Sequence, residues 1–221
     1  MTREVYHKAL KEVQDEVIRM ADMVGKALKD SMDALKIRDL ETSRRIIKND
    51  VLINKMRFDI EDKCLLLIAT QQPMAIDLRM LAAVINIITD LERIGDHAEG
   101  IAKINISIGE EPLVKPLVDI PRMAEKGISM LDRCMKAFVD RDIEAARKIC
   151  NEDDEVDALY DQTYRELLLI MIENPRTIQG ATYLIWAAHN LERTADRVTN
   201  IAERIVFMVT GKMEEMNVSK Y

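Results

Sequence analysis

Apolar residues recur every three or four positions along most of the chain, which is the spacing of one buried face of an α-helix. Asp39 and Asp142 precede two of these stretches as candidate N-caps, while Pro73 and Pro175 interrupt the pattern between others. The pattern predicts an all-α protein with six long helices, over residues 4–36, 39–71, 75–106, 120–139, 142–173 and 177–211.

The third and sixth predicted helices carry a seven-residue apolar rhythm, which is typical of helices packed closely in a bundle. One apolar seam consists of Leu81, Val84, Ile88, Leu91, Gly95, Ala98 and Ala102. The other consists of Ala188, Leu191, Ala195, Val198, Ala202 and Ile205. A glycine inside a helix costs about 1 kcal/mol relative to alanine, so Gly95 requires a packing or backbone reason.

Two segments 100 positions apart, at 90–98 and 190–198, share the pattern Leu-Glu-Arg-x-small-Asp. Upstream the two halves match at a shift of 103, which pairs Asp39 with Asp142 and Asp50 with Asp153. The sequence therefore predicts an internal duplication with three helices in each copy. We assign the first repeat to residues 1–106, a linker containing Gly and Pro to 107–121, and the second repeat to 122–221.

Composition narrows the function classes. Apolar residues make up 48% of the 221 residues but aromatic residues only 4%, which favours long helices. The net charge of −7 argues against a nucleic-acid partner. Three cysteines without metal-ligand spacing indicate reduced thiols in a cytoplasmic protein. Neither a signal peptide nor a membrane-length apolar run is evident, so we expect no direct membrane insertion.

The duplicated segments each place two acids four residues apart, Glu92 with Asp96 and Glu192 with Asp196. On a helix that spacing puts both carboxylates on one face, where they repel each other by a few tenths of a kcal/mol. In an antiparallel helix hairpin, residues equally far before and after the tip lie side by side. Counting from Pro73 and from the second tip near residue 176 therefore places further side chains beside these acids. These are Asp50 and Asn54 in the first repeat and Asp153, Asp157 and Asn200 in the second.

Carboxylate and amide oxygens in this number suit a hard or borderline cation such as Mg, Mn, Ca or oxygen-ligated iron. Because Glu92 and Asp96 flank the apolar seam, such an ion would lie on the bundle surface or in a shallow groove. The competing interpretation is that acids four apart on a helix are simply a solvated face. Because the pair occurs at equivalent places in both repeats, metal binding is favoured more strongly than it would be by a single pair, and the solvated face stays open as the alternative.

Other polar residues are weaker candidates. His97 and His189 adjoin the acids, but the equivalent position in the other repeat is not a histidine in either case. A surface or packed role is therefore favoured for both. Arg93 and Arg193 are expected to form structural ion pairs with acids of a neighbouring helix rather than an oxyanion site. Trp186 is expected to fill the core. No nucleophile–base pair, phosphate loop or dinucleotide motif is present, which points away from an enzyme.

The sequence resembles the PhoU family over roughly residues 10–211. The resemblance rests on the paired Leu-Glu-Arg-x-x-Asp segments, the Gln72-Pro73 tip with Asp77-Leu78-Arg79, the motif Asn174-Pro175-Arg176-Thr177, and Thr199-Asn200-Ile201-Ala202-Glu203. It implies two tandem three-helix bundles related by pseudo-twofold symmetry. It also implies metal ions held by acidic motifs, with iron first and zinc or manganese as alternatives. Asn54 departs from the acidic pattern, so the first site is expected to be weaker.

The resemblance further implies a cytoplasmic, non-enzymatic regulator of phosphate homeostasis. Its expected partners are the ATPase subunit of the high-affinity phosphate ABC transporter and a phosphate-sensing histidine kinase of a two-component system. When phosphate is sufficient, it would repress the starvation response and modulate uptake. A homodimer formed through an apolar bundle face is also expected. Two alternatives stay open, a carboxylate-bridged iron-binding or iron-storage protein and a metal-free helical adaptor.

Overall fold

The fold consists of long helices and short turns. A computed structural model describes residues 3–214 and 216. Its α-helices are α1 (Arg3–Ile37), α2 (Leu40–Gln71), α3 (Ile76–Ile108), α4 (Asp119–Asp140), α5 (Ile143–Cys150), α6 (Asp153–Glu173) and α7 (Ile178–Thr210), with a 3-10 turn at Pro175–Thr177. The described residues contain no β-strand, and the all-α prediction is confirmed.

The turns that open α2 and α5 are built in the same way. Asp39 accepts a hydrogen bond from the Thr42 amide at 2.9 Å, and Asp142 accepts one from the Ala145 amide at 3.0 Å. The residue before each aspartate, Arg38 or Arg141, has a left-handed φ of 64° or 55°. The two predicted N-caps are confirmed, and the matching backbone conformations support the duplication.

The predicted helix over 142–173 is interrupted, so that α5 and α6 together take the place of α2 in the second repeat. The break falls at Asn151–Glu152, just before three further acids, Asp153 to Glu155. Acids are stabilised in the first turn of a helix by the backbone dipole and repel one another inside a helix, which accounts for a new helix starting here. Between the repeats, residues 109–118 are not helical, and Pro121 lies in the first turn of α4.

The two bundles share a central pair of helices. Helices α1, α2 and α3 pack together, as do α4, α5, α6 and α7, and the most extensive contact in the molecule joins α3 to α7. Every residue of the two predicted heptad seams is buried. The prediction of two three-helix bundles arising from a duplication is thus confirmed.

A buried amide ties the first repeat to the linker. The Asn105 side chain donates hydrogen bonds to the Ala34 carbonyl at 3.1 Å and to the Ser43 hydroxyl at 2.9 Å. Its own oxygen accepts from Arg38, whose guanidinium also contacts the Gly109 carbonyl at the end of α3. One side chain therefore fixes the α1–α2 turn against the C-terminus of α3.

Two surface features complete the fold. Within residues 3–214 and 216, none of the helices combines the length and hydropathy needed to span a membrane. The core prediction for Trp186 is wrong, because 53% of this residue is exposed. It lies edge-on to Tyr183 one turn earlier on α7, with ring centroids 5.8 Å apart.

Candidate functional site: two acidic clusters

The first acidic cluster lies between α2 and α3, where Asp50 and Asn54 face Glu92 and Asp96. The Asn54 amide donates a 2.8 Å hydrogen bond to Asp50 Oδ2. A Cβ atom added to Gly95 would lie 3.6 Å from Asp50 Oδ1 and 3.2 Å from the Ile53 side chain. The glycine thus lets α2 approach α3 at the level of the acids, which supplies the packing reason required by the sequence.

The acids of this cluster raise one another's pKa values. Burial raises the pKa of Asp50, and the charges of Glu99 and Asp96 raise it further. Burial, followed by the charge of Asp96, also raises the pKa of Glu92. Nearby cations offset these effects only in part, since Arg93 lowers the pKa of Glu92. The cluster therefore concentrates negative charge in a poorly solvated position.

The second cluster lies between α6 and α7. Burial, and then the charge of Asp196, raise the pKa of Glu192 to about 7, and Asp157 and Asp153 add to the effect. His189 Nδ1 lies 3.2 Å from Glu192 Oε2. Burial, followed by the charge of Arg193, lowers the pKa of His189, which disfavours a positively charged imidazole beside Glu192.

The neighbouring arginines pair with acids of their own helices. Arg93 Nη1 lies 3.2 Å from Asp96 Oδ2, and Arg193 Nη1 lies 2.8 Å from Asp196 Oδ2. The expected ion pairs form, but with acids of the same helix and not of a neighbouring one, because residues three apart on a helix are neighbours. Burial still raises the pKa of Asp196 despite the charge of Arg193.

Asn200, one turn after Asp196 on α7, also hydrogen-bonds Asp90 of α3 across the central helix pair, which offsets part of the rise that burial causes in the pKa of Asp90. Arg197 Nη1 approaches the same carboxylate, with 3.4 Å to Asp90 Oδ1. In the mirrored position, His97 Nδ1 lies 3.2 Å from Asn190 Oδ1. Since residues 90 and 97 correspond to 190 and 197, the two contacts are related by the internal pseudo-twofold axis.

The donor chemistry of the clusters fits a cation. Asp50 Oδ1 and Asn54 Oδ1 are buried and accept no hydrogen bond from the described residues. Such oxygens are costly to leave unsatisfied, and a bound ion would satisfy them. As the side chains stand, no three His, Cys, Asp or Glu residues in the described part of the chain converge closely enough to hold a metal ion. A complete coordination shell would therefore require side-chain rearrangement.

Two side chains that border the clusters were absent from the sequence-based set. Glu99 raises the pKa of Asp50 and lies one helical turn after Asp96. The centroid of the Tyr160 ring lies 5.9 Å from that of the His189 ring, and burial, followed by the charge of Glu192, raises the pKa of Tyr160. Glu99 could have been found by extending the acidic face of α3 by one turn, whereas Tyr160 carries no pattern that marks it.

The three cysteines are inert in character. Cys64, Cys134 and Cys150 are all buried and free. Burial raises the pKa of Cys64 to about 12, with the charges of Glu16 and Glu61 adding to the effect. A thiol with such a pKa stays protonated at neutral pH and is a poor nucleophile.

Comparison with known proteins agrees with this architecture. The family model for the PhoU domain matches twice, over residues 17–104 and 120–205. The phosphate-specific transport system accessory protein PhoU homolog of Clostridium acetobutylicum is 38% identical over 218 residues, covering 98% of this chain and 100% of that protein. The corresponding homolog of Aquifex aeolicus is 39% identical over 206 residues, covering 93% of each chain.

Solved structures give the same result. The crystal structure of PhoU from Pseudomonas aeruginosa superposes with a TM-score of 0.89 at 31% identity, covering 94% of this chain and 100% of that one. The phosphate transport system regulatory protein PhoU of Streptococcus pneumoniae superposes with a TM-score of 0.89 at 29% identity, covering 95% and 99%. With both repeats matched and the duplicated acidic clusters in place, the chain belongs to the PhoU family.

Proposed function

We propose that this protein is a cytoplasmic accessory regulator of a phosphate-specific transport system. It docks on the ATPase subunit of the transporter and on a phosphate-sensing histidine kinase, restrains uptake, and keeps the starvation response off when phosphate is sufficient. The observation that carries the proposal is family membership over nearly the whole chain, with relatives named as accessory proteins of phosphate-specific transport. Regulation depends on the helical surfaces that contact these partners and not on a catalytic centre.

Such a regulator acts by binding one state of its partner more tightly than another, because equal affinity for both states shifts no equilibrium. A tenfold preference corresponds to about 1.4 kcal/mol. The test is to measure binding to the purified transporter in the nucleotide-free state and in an ATP-trapped state. We expect at least a tenfold difference in Kd, and equal affinity in the two states would rule out this mechanism.

We further propose that the acidic clusters bind metal ions. In the first repeat the donors would be Asp50, Asn54, Glu92 and Asp96. In the second they would be Asp153, Asp157, Glu192, Asp196 and Asn200. A bound cation would neutralise the mutual repulsion of the carboxylates and join two helices in each repeat. Iron, zinc and manganese all accept such ligands.

Elemental analysis tests the metal proposal. The protein is purified without a chelator or a metal-affinity tag, beside a variant carrying Glu92→Ala, Asp96→Ala, Glu192→Ala and Asp196→Ala. Stoichiometric metal in the wild type, lost in a variant with an unchanged circular dichroism spectrum, supports the proposal. Absence of metal from the wild type, even after reloading, refutes it and leaves a metal-free adaptor.

A further inference from the structure

The helix that supplies Asp153 to the second acidic cluster begins at an interruption of the chain. Helix α5 ends at Cys150, and α6 begins at Asp153 itself. Among the described residues, Glu152 occupies the N-cap position of α6 but makes no capping hydrogen bond with its side chain. Asp39 and Asp142, in contrast, cap α2 and α5 with their carboxylates. The start of α6 therefore lacks the local interaction that commonly fixes the first turn of a helix.

Helix α4 supplies a restraint on this helix start from a distance in the sequence. Arg133 Nη1 donates to Glu152 Oε1 at 2.7 Å, and Arg133 Nη2 donates to Glu152 Oε2 at 2.5 Å. Arg133 Nε also donates to the Ser129 carbonyl at 3.1 Å, which orients the guanidinium on its own helix. Two turns earlier on α4, Lys126 pairs with Glu155 in the first turn of α6. A bidentate arginine–carboxylate pair fixes orientation as well as distance, which an ordinary surface ion pair does not.

The first repeat provides an internal comparison for these ion pairs. At the shift of 103, the four paired residues of the second repeat correspond to residues that cannot form the same pairs, namely Asp30, Asn49, Met23 and Leu52. Helix α2 also runs without a break through Asp50, the counterpart of Asp153. In the described part of the chain, the ion pairs and the interruption thus occur in the same repeat. This indicates that the pairs serve the interrupted helix rather than the bundle in general.

We propose that Arg133, supported by Lys126, is a positioning residue for the second acidic cluster. The two cations contact the acids on either side of Asp153 and so fix the start of α6 against the rest of the bundle. Asp153 is only 1% exposed, and its charge contributes to the raised pKa of Glu192 on α7, so its placement affects the whole cluster. The inference rests on the metal binding proposed above for this cluster.

The two clusters would then hold their first acid in different ways. Asp50 is fixed by continuous helix on both sides, whereas Asp153 depends on ion pairs from a neighbouring helix. Metal ligands bind well only when the groups around them hold them in place. The second cluster is therefore sensitive to changes on α4, a helix that carries none of the proposed metal ligands.

Hydrogen exchange of the metal-free protein tests the positioning directly. Arg133→Met keeps much of the aliphatic stem and removes the guanidinium. It should speed exchange of the amides in the first two turns of α6 about fivefold, the change expected from loss of a well-formed ion pair. Arg122→Met is the matched control, because Arg122 also lies on α4 but pairs with Asp119 of its own helix at 3.0 Å. Unchanged exchange in Arg133→Met, or an equal increase in Arg122→Met, overturns the proposal.

A double-mutant cycle shows whether Arg133 acts through Glu152. Glu152→Gln removes the other partner and should speed exchange at the start of α6 to a similar extent. The double variant should exchange no faster than either single variant, because both substitutions break the same contact. Additive effects of the two substitutions overturn the assignment of this pair.

Manganese binding gives a readout in which charge and position act in opposite directions. The first cluster is disabled by Glu92→Ala and Asp96→Ala, and free Mn²⁺ is measured by electron paramagnetic resonance. Removal of a positive charge by itself strengthens the binding of a cation, whereas displacement of Asp153 weakens it. We expect Arg133→Met to raise the Kd of the second cluster for Mn²⁺ about tenfold. An unchanged or lower Kd overturns the proposal.

The reciprocal background separates positioning from general destabilisation. With the second cluster disabled by Glu192→Ala and Asp196→Ala, Arg133→Met should leave the Kd of the first cluster within about twofold. A comparable loss at the first cluster overturns a specific positioning role. If the wild type binds no Mn²⁺, the metal proposal fails, and the exchange experiment alone decides whether Arg133 fixes the start of α6. The two failures are therefore distinguishable.

Discussion

Replacing Glu192 with glutamine should stabilise the metal-free protein at alkaline pH. The folded state raises the pKa of this carboxyl from 4.5 to about 7, first through burial and then through the charge of Asp196. The ionised form is therefore less favourable in the folded protein than in the unfolded chain. Glutamine has the same shape as the protonated acid and carries no charge to bury.

The magnitude follows from the shift. Each pKa unit corresponds to about 1.4 kcal/mol, so the rise from 4.5 to about 7 sets an upper bound of about 3 kcal/mol on the gain in the free energy of unfolding. The Glu192 side chain is 22% exposed, so solvent screening reduces the expected gain to about 1–2 kcal/mol. For a chain of this size, that corresponds to a rise in Tm of about 3–6 °C.

The sign of the pH dependence is fixed by the direction of the shift. Below pH 4.5 the carboxyl is protonated in both the folded and unfolded states, so the glutamine variant gains nothing. Between pH 4.5 and about 7 the unfolded chain loses its proton first, and the wild type loses stability as pH rises. Above pH 7 the advantage of Glu192→Gln is complete.

The assay is urea unfolding of metal-stripped protein at about pH 4 and about pH 8, with the free energy of unfolding extrapolated to water. Glu125→Gln on the exposed face of α4 is the control for the same change of side chain. A gain for Glu192→Gln that is equal at the two pH values, or no gain at about pH 8, would refute the assignment of a repelled, partly buried carboxylate.

Further predictions concern packing and thiol reactivity. Gly95→Leu should destabilise by about 1–3 kcal/mol in thermal unfolding, since its side chain must displace Ile53; an unchanged Tm would contradict the close approach of α2 and α3. Asn105→Ala should cost about 2–3 kcal/mol in urea unfolding, because buried partners lose their hydrogen bonds, whereas Asn86→Ala on the surface should stay within about 0.5 kcal/mol. The cysteines, including Cys64, should react with a thiol-specific reagent only after denaturation, and rapid labelling of the native protein would disprove their burial.

Periodicity and repetition made most of the fold predictable. The seven-residue rhythm marked the buried seams of α3 and α7, and Asp39 and Asp142 marked two helix starts because an N-cap is a local interaction. Asp50 and Asp96 are equally far from Pro73 in the sequence, and this predicted that they lie side by side, because the two helices of a hairpin are antiparallel. Each of these features depends on neighbours in sequence or on a single turn.

Features that depend on packing between distant helices were not predictable in the same way. The hydrogen bond of Asn200 to Asp90 joins α7 to α3, and no local pattern on α7 marks it. Trp186 has the apolar character of a core residue, but its position on α7 faces outward. The interruption before Asp153 is local, and the run of acids that explains it was visible in the sequence.

The mirrored contacts between α3 and α7 show what joining two repeats in one chain makes possible. In an assembly of two identical subunits, a contact across the axis must occur twice with the same residues. Here one side of the axis has an ionic pair, Asp90 with Arg197, and the other has a neutral pair, Asn190 with His97. A single gene can change one half without changing the other, so the fused chain can assign different chemistry to its two faces while keeping a symmetrical frame.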